Sequence, residues 1–469
     1  MLKNTDEKAR KRVAFHNLGC KVNSYETEIL LQKFREKGYE IVTFEQKAEV
    51  YVVNTCTVTQ IADKKSRQML RRARKINPEA VVVAAGCYVE TGAEALVEEG
   101  TVDLAVGNTE KGQIAELVER LLRERADGLS REPRLFLHAD ADSGEPSACS
   151  VYTTGECLTG ISRTRAFIKI QDGCDQFCSY CVIPYARGRA KSRETAEIVA
   201  EVAGLAARGV QEVVLTGIHV SSFGQRERGR FDGEKLIDLI GQLSETPGLE
   251  RIRLGSLEPR LITQETARAF AELSDRSKGG RLCPHFHLSL QSGCNETLFR
   301  MNRHYTSAQY AASVACLRES IDRPAVTTDV IVGFPGETEE EFAETCRFLE
   351  DLSLYEIHVF PYSRRTGTVA AGMPGQVLRA EKERRGGVLL RMTASQARDY
   401  RASFLGETLR VLWEEEEEID GRRCLTGHTE RYLKAAVPVE EAGQRGDVCG
   451  MISEIAARTL SADGTVLLP

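Results

Sequence analysis

Three times in its first ninety residues the chain runs along an apolar, strand-like stretch and stops at a cysteine: NLGC at Cys20, VNTC at Cys56 and AAGC at Cys87. Helical patterns follow each one, over 24–37, over 60–76 and in the nineties, and a fourth unit pairs VDLAVG with a helix over 111–124. This rhythm predicts an open parallel sheet covered by helices, spanning 11–125. In such a sheet the carboxyl ends of neighbouring strands form one crevice, so the three thiols are expected to converge. A free cysteine is also a common small buried apolar residue. The same topological position in three successive units favours a three-thiolate cluster site instead.

The rhythm stops over 126–163, where SREPRLFLHADADSGEPSACS is rich in turn residues, and this stretch reads as a linker. It resumes over 164–400 with six strand patterns, RAFIKI, EVVLTG, RIRLGS, HFHLSL, VTTDVIVGF and EIHVFPY, followed by a helical stretch over 378–402. Six βα units predict a partial TIM-type barrel, with its chemistry at the carboxyl ends of the strands. Short strand-like segments over 403–469 (ETLRVLWEE, LKAAVPV, GTVLLP) predict a small β-barrel. The fold class is α/β in three parts, and the Glu414–Glu418 run reads as a solvated face.

The second cysteine signal lies just after the first barrel strand, in KIQDGCDQFCSYCVIPYARG. Cys174, Cys178 and Cys181 stand in a C-x3-C-x2-C pattern on one short loop. A 4Fe-4S cluster normally takes four thiolates, so three leave one iron open to an outside ligand, such as the amino and carboxylate groups of S-adenosylmethionine. A zinc knuckle would need a fourth Cys or His close by, and the next histidine is His219. Fourteen cysteines in a chain whose start, MLKNTDEKARKR, has no export signal point to metal binding rather than disulfides. No apolar run has membrane-spanning length. The net charge of -6 leaves nucleic-acid binding to local basic patches.

The triplet, with Tyr180 before its last cysteine and the βα repeats around it, resembles the radical S-adenosylmethionine superfamily. Cys20, Cys56 and Cys87 extend the resemblance to its methylthiotransferases, which join a three-cysteine domain, a radical barrel and a C-terminal TRAM domain. LGCKVNSYETE around Cys20 and ADKKSRQMLRRARKINPEA after Cys56 look most like the branch acting on threonylcarbamoyladenosine beside the tRNA anticodon. The resemblance implies two 4Fe-4S clusters. It implies two uses of S-adenosylmethionine: methylation of cluster-held sulfur, and a 5'-deoxyadenosyl radical that abstracts hydrogen from carbon 2 of adenine. It also implies a cytoplasmic enzyme whose partners are the tRNA anticodon stem-loop and a reductase or flavodoxin-type electron donor. Cofactor contacts are expected at Tyr180, at Thr216 and Gly217 in TGIHVSSFG, at Ser256 in RLGSLEP, at Gln291 in LSLQSG, and at Gly333 and Glu337 in DVIVGFPGE. Ordinary barrel turns would account for these loops as well. The other eight cysteines, including Cys149 and Cys157, are read as structural.

For RNA, helix 60–76 carries Lys64, Lys65, Arg67, Arg71, Arg72, Arg74 and Lys75 against Asp63 alone, and Arg187, Arg189, Lys191 and Arg193 follow the triplet. Solvated helix faces are the plainer account of both. GHTERYLKAAV resembles a TRAM segment and suggests a local face at Arg431 and Tyr432, although 401–469 hold eight Lys or Arg against thirteen Asp or Glu. Competing functions are a radical methylthiotransferase acting on a ribosomal-protein side chain or on isopentenyladenosine, and a non-catalytic RNA-binding iron-sulfur redox sensor.

Overall fold

A computed structural model describes residues 10–129, 132–137, 164–225, 233–441 and 448–469. The chain divides into two compact units, residues 1–157 with 181–189, and residues 158–180 with 190–469. Among the described residues no helix is long and apolar enough to cross a membrane.

The first unit is built on a six-stranded sheet of β1 (Arg12–Asn17), β2 (Glu40–Val42), β3 (Val50–Thr55), β4 (Val81–Gly86), β5 (Leu104–Val106) and β6 (Arg134–Phe136). All pairings are parallel, in the order β2-β1-β3-β4-β5-β6. β3 and β4 are buried along their whole length, as VYVVNT and VVVAAG require of central strands with helices on both faces. One face packs Val13, Val50, Val52, Val81 and Val83 against Leu30, Phe34, Val118 and Leu121. The other packs Tyr51, Val53, Val82 and Ala84 against Leu70, Ala73 and Leu96. The strand order reverses direction between β1 and β3, which makes the carboxyl ends there the expected binding crevice. β6 lies inside the stretch read as a linker. It adds to the sheet edge beside β5 with RLF, a run too short to register as a strand pattern in sequence. Cys149 and Cys157 lie outside the described residues.

In the second unit six parallel strands follow one another as Arg165–Lys169, Glu212–Thr216, Arg251–Leu254, His285–His287, Ala325–Val332 and Glu356–Pro361. Single bridges, Ile252 to Leu282 and Leu257 to Leu288, join the third strand to the fourth. Alternate residues, among them Ile168, Val213, Leu215, Ile252, Phe286, Val326 and Ile357, form the apolar core with the covering helices. The intervening residues are polar, and at the amino ends of the strands they form a floor of charge. Glu212, fully buried, is ringed by Arg165 (2.9 Å), Arg253 (3.1 Å) and Arg251 (3.5 Å). Burial alone would raise the Glu212 carboxyl, but the three guanidinium groups hold it at about 2.

A mixed, curled six-stranded sheet closes this floor, its longest strand being Thr408–Ile419. The Glu414–Glu418 run belongs to that strand: Glu415, Glu416 and Glu418 are exposed to solvent, while Glu414 pairs with Arg165 and Glu417 with Lys434. The turn between strands Arg422–His428 and Lys434–Pro438 reaches into the floor. Its carbonyls at His428, Thr429 and Glu430 accept from Arg251 and Arg253. Tyr432 stacks on His285 (5.3 Å) and His428 (4.5 Å), with the Arg253 and Arg165 guanidinium groups over its ring.

Candidate metal centres

In the first unit the three strand-end cysteines are neighbours, Cys87 and Cys20 both acting on the Cys56 thiol. Cys20 is the N-cap of helix Lys21–Glu36, Cys56 follows β3, and Cys87 opens helix Cys87–Glu98. Burial pushes the Cys56 thiol up to about 11, and the neighbouring Cys87 and Cys20 push the same way. Gly19 adopts a left-handed φ of +106°, and a Cβ there would lie 2.8 Å from Cys56 Sγ. Only glycine lets the chain pass over that sulfur.

A buried charge network backs the thiols. Arg187 Nε donates to Cys87 Sγ at 3.2 Å, and the rest of its guanidinium reaches Glu26 (3.0 Å) and Asn23 (2.7 Å). Lys111 donates to the same Glu26 at 2.5 Å, and Asn108 Nδ2 faces Cys87 Sγ at 3.7 Å. Two cations against one carboxylate leave a local positive surplus, which fits a site that gathers three thiolates.

In the second unit Gln171 ties the backbone of Asp172 and Gly173, so the chain turns sharply into Cys174. The Ser179 N–H and hydroxyl donate to the Met301 and Arg300 carbonyls, which pin the loop's far end. Burial pushes Cys174 up to about 11, with Cys178 adding to it. Arg303 Nη1 donates to Cys178 Sγ at 3.2 Å and is itself held by Glu258 at 3.4 Å. Glu258 also meets Arg260 (2.8 Å) and His219 (3.5 Å). Burial opposes its ionisation, but the His219 contact and these arginines hold it at about 2. Cys181 lies on the 181–189 segment, which folds with the first unit.

Two family models match the chain. The family described as "Uncharacterized protein family UPF0004" matches residues 12–107, and the radical SAM superfamily matches 168–349. A Bacillus subtilis protein named threonylcarbamoyladenosine tRNA methylthiotransferase MtaB is 40% identical over 90% of this chain and 89% of its own length. The chain belongs to the radical S-adenosylmethionine methylthiotransferase family. An Aquifex aeolicus protein of the same name is 37% identical over 87% of this chain and 94% of its own. A Geobacter metallireducens tRNA-2-methylthio-N(6)-dimethylallyladenosine synthase is 33% identical over 86% and 87%. Among solved structures, the radical S-adenosylmethionine methyltransferase TsrM of Kitasatospora setae is 19% identical with a TM-score of 0.53, covering 74% of this chain and 72% of that one. That likeness supports the fold alone.

The methylthiotransferase fold places the expected cofactor residues around the strand ends. Tyr180 packs edge-on against Phe334 at 6.4 Å. Thr216 is buried, and a Cβ at Gly217 would lie 2.9 Å from Gln171 Oε1, so that loop does need a glycine. Gln291 sits at a left-handed φ of 75°, and Ser256 is exposed at the end of its strand. The Glu337 carboxylate accepts from the Gly333 N–H (2.6 Å) and from Arg385 (2.7 Å), contacts that shape its own loop.

The basic residues divide. Lys64 and Arg71 are exposed on helix Gln60–Ile76, Arg71 pairing with Glu99 at 3.1 Å, and Arg189 is exposed. Arg187 is not a surface contact for RNA: with 1% of its side chain exposed, it serves Cys87 and Glu26. Arg431 is also engaged within the chain, donating to the Arg323 and Asp322 carbonyls, and Tyr432 fills the barrel floor. Sequence reading missed Lys111, Glu258 and Arg303, because each lies tens of residues from the cysteine it supports, and Glu26, because the arginine that links it to Cys87 lies 161 positions away.

Proposed function

We propose that this chain is a tRNA methylthiotransferase that modifies carbon 2 of threonylcarbamoyladenosine beside the anticodon, using two 4Fe-4S clusters. The observation that carries this reading is the convergence of Cys20, Cys56 and Cys87 at the switch point of the first sheet, separate from the Cys174, Cys178, Cys181 triplet. The names of the B. subtilis and A. aeolicus relatives support the substrate. Cys20, Cys56 and Cys87 would hold one cluster, and Cys174, Cys178 and Cys181 the other. When bound, the clusters and S-adenosylmethionine supply sulfur methylation and the 5'-deoxyadenosyl radical that removes hydrogen from adenine carbon 2. Arg187 and Arg303 donate to the Cys87 and Cys178 sulfurs, and Cys56 and Cys174 are buried from water. Lys64, Arg71 and Arg189 are the phosphate contacts we assign, and a flavodoxin-type protein or reductase in the cytoplasm is the electron donor.

The test compares Cys20→Ala with Cys178→Ala. Anaerobically reconstituted protein should carry about eight irons per chain and each variant about four. Cys20→Ala should still form 5'-deoxyadenosine but no methylthio product, while Cys178→Ala should lose both. Equal loss of cleavage in the two variants, or unchanged methylthio-threonylcarbamoyladenosine in tRNA from a deletion strain, would sink the proposal.

A further inference from the structure

On the barrel's polar inner face, neither cysteine site uses the cluster formed by His287, Asp329 and His358. On the last three strands Phe286, Leu288, Val326, Val330 and Ile357 pack into the apolar core. The alternate positions face the other way, and Asp329 and His358 are cross-strand partners there. Asp329 sets one carboxylate oxygen 3.4 Å from His287 Nε2 and the other 3.3 Å from His358 Nδ1. The imidazoles stack at 5.5 Å, Thr327 Oγ1 fixes His287 Nδ1 at 3.0 Å, and Glu356 lies 3.8 Å from His358 Nε2. This is a built wall that still meets solvent, with His358 44% exposed.

The wall is close to the radical site. Ser289 is the next residue on His287's side of the chain, about 7 Å further at strand spacing. Its carbonyl accepts from Tyr305 at 2.5 Å and lies 3.4 Å from Arg303, the group that holds Cys178. In adenine, carbons 2 and 6 flank N1, so a purine that offers carbon 2 to the radical keeps its N6 substituent close by, within reach of this face.

We infer that His287, Asp329 and His358 read the N6 substituent of the target adenosine and select a polar threonylcarbamoyl group over an apolar dimethylallyl one. The inference rests on the tRNA methylthiotransferase reading above. The two imidazoles keep Asp329 ionised, while Asp329 and then Glu356 raise His358 to about 9. A threonylcarbamoyl group brings ureido N–H donors for the carboxylates, and hydroxyl and carboxylate acceptors for the imidazoles. A dimethylallyl group brings neither. It would strip water from charged groups without replacing it, and sites built to hydrogen-bond a substrate reject such analogues strongly.

The experiment uses reconstituted full-length enzyme and anticodon stem-loops that carry threonylcarbamoyladenosine, its carboxylate methyl ester, or dimethylallyladenosine. His358→Phe keeps a ring and removes its donors. It should raise KM for the first substrate roughly 10- to 100-fold with a smaller effect on kcat, shrink the preference over dimethylallyladenosine, and abolish discrimination between acid and ester. His358→Gln, which keeps a donor, should recover part of the loss, and iron content and melting temperature report whether each variant folds. An unchanged KM and preference in His358→Phe, with wild type active on threonylcarbamoyladenosine, would overturn this inference alone. So would one zinc per chain that survives chelator washing in wild type and disappears in His287→Ala, since that makes the cluster a metal site. Wild-type inactivity on threonylcarbamoyladenosine would bring down the functional reading beneath it.

Discussion

Glu26→Gln isolates the charge network behind the first cysteine site. The glutamate has 2% of its side chain exposed and takes Lys111 on one oxygen and Arg187 on the other. The amide keeps the shape and removes the charge, so two cations are left where neither reaches water. A buried lysine can respond by releasing its proton, but an arginine cannot. Asn23 and Cys87 still accept from Arg187 without neutralising it as a carboxylate does. Removing one partner of a buried pair costs about 3–5 kcal/mol, and the isosteric amide puts this case near 3. For a unit of this size that corresponds to a melting temperature lower by ~10 °C. The single tryptophan, Trp413, is buried in the second unit, so its fluorescence follows that unit while far-UV circular dichroism follows both. The dichroism transition of the first unit should drop and the Trp413 transition should stay in place. A shift below ~2 °C, or Trp413 moving in step, would refute the argument that an uncompensated cation inside the first unit sets the loss.

Two further outcomes concern the second unit. Tyr432→Ala removes a ring stacked on two histidines and covered by two guanidinium groups, and should cost the second unit about 3 kcal/mol, read as an earlier Trp413 transition; a change within ~0.5 kcal/mol would contradict the packing. Acid should act on the same unit through Glu212 and Glu258, both held at about 2 against an ordinary 4.5. Their folded values are depressed, so the stability they contribute is fully present above about 4.5 and fades as pH falls toward 2; a Trp413 melting temperature that is flat across that window would show that the fold does not hold these carboxylates below their ordinary value.

Much of this architecture was legible because it is periodic. Apolar runs of strand length alternated with helical patterns, and Cys20, Cys56 and Cys87 marked equivalent strand ends, so the first sheet and its converging thiols followed from local pattern. β6 escaped notice because three residues carry no period. Arg187 was misread for a physical reason. A charge just after a loop looks exposed, and the glutamate that buries it lies more than 160 positions away. The polar inner face of the barrel was hidden similarly: RIRL shows alternation, but only the fold decides which set faces the helices, and TIM-type interiors usually hold branched apolar side chains. Tyr432 read as a surface aromatic because its partners come from three separate strands of the other half of the unit.

The way the C-terminal turn completes the barrel floor also has a consequence for synthesis. Arg165, Arg251 and Arg253 leave the ribosome long before Tyr432 and the carbonyls at 428–430 that receive them. From Arg253 to Tyr432 is roughly 180 residues, so at about 5–20 residues per second the nascent barrel waits on the order of ten seconds or more with its arginine floor uncovered. During that interval Glu212 alone answers three guanidinium groups, and an unfinished chain is open to polyanions, the very RNA being read included. A chain cut short before residue 408 would stay in that state.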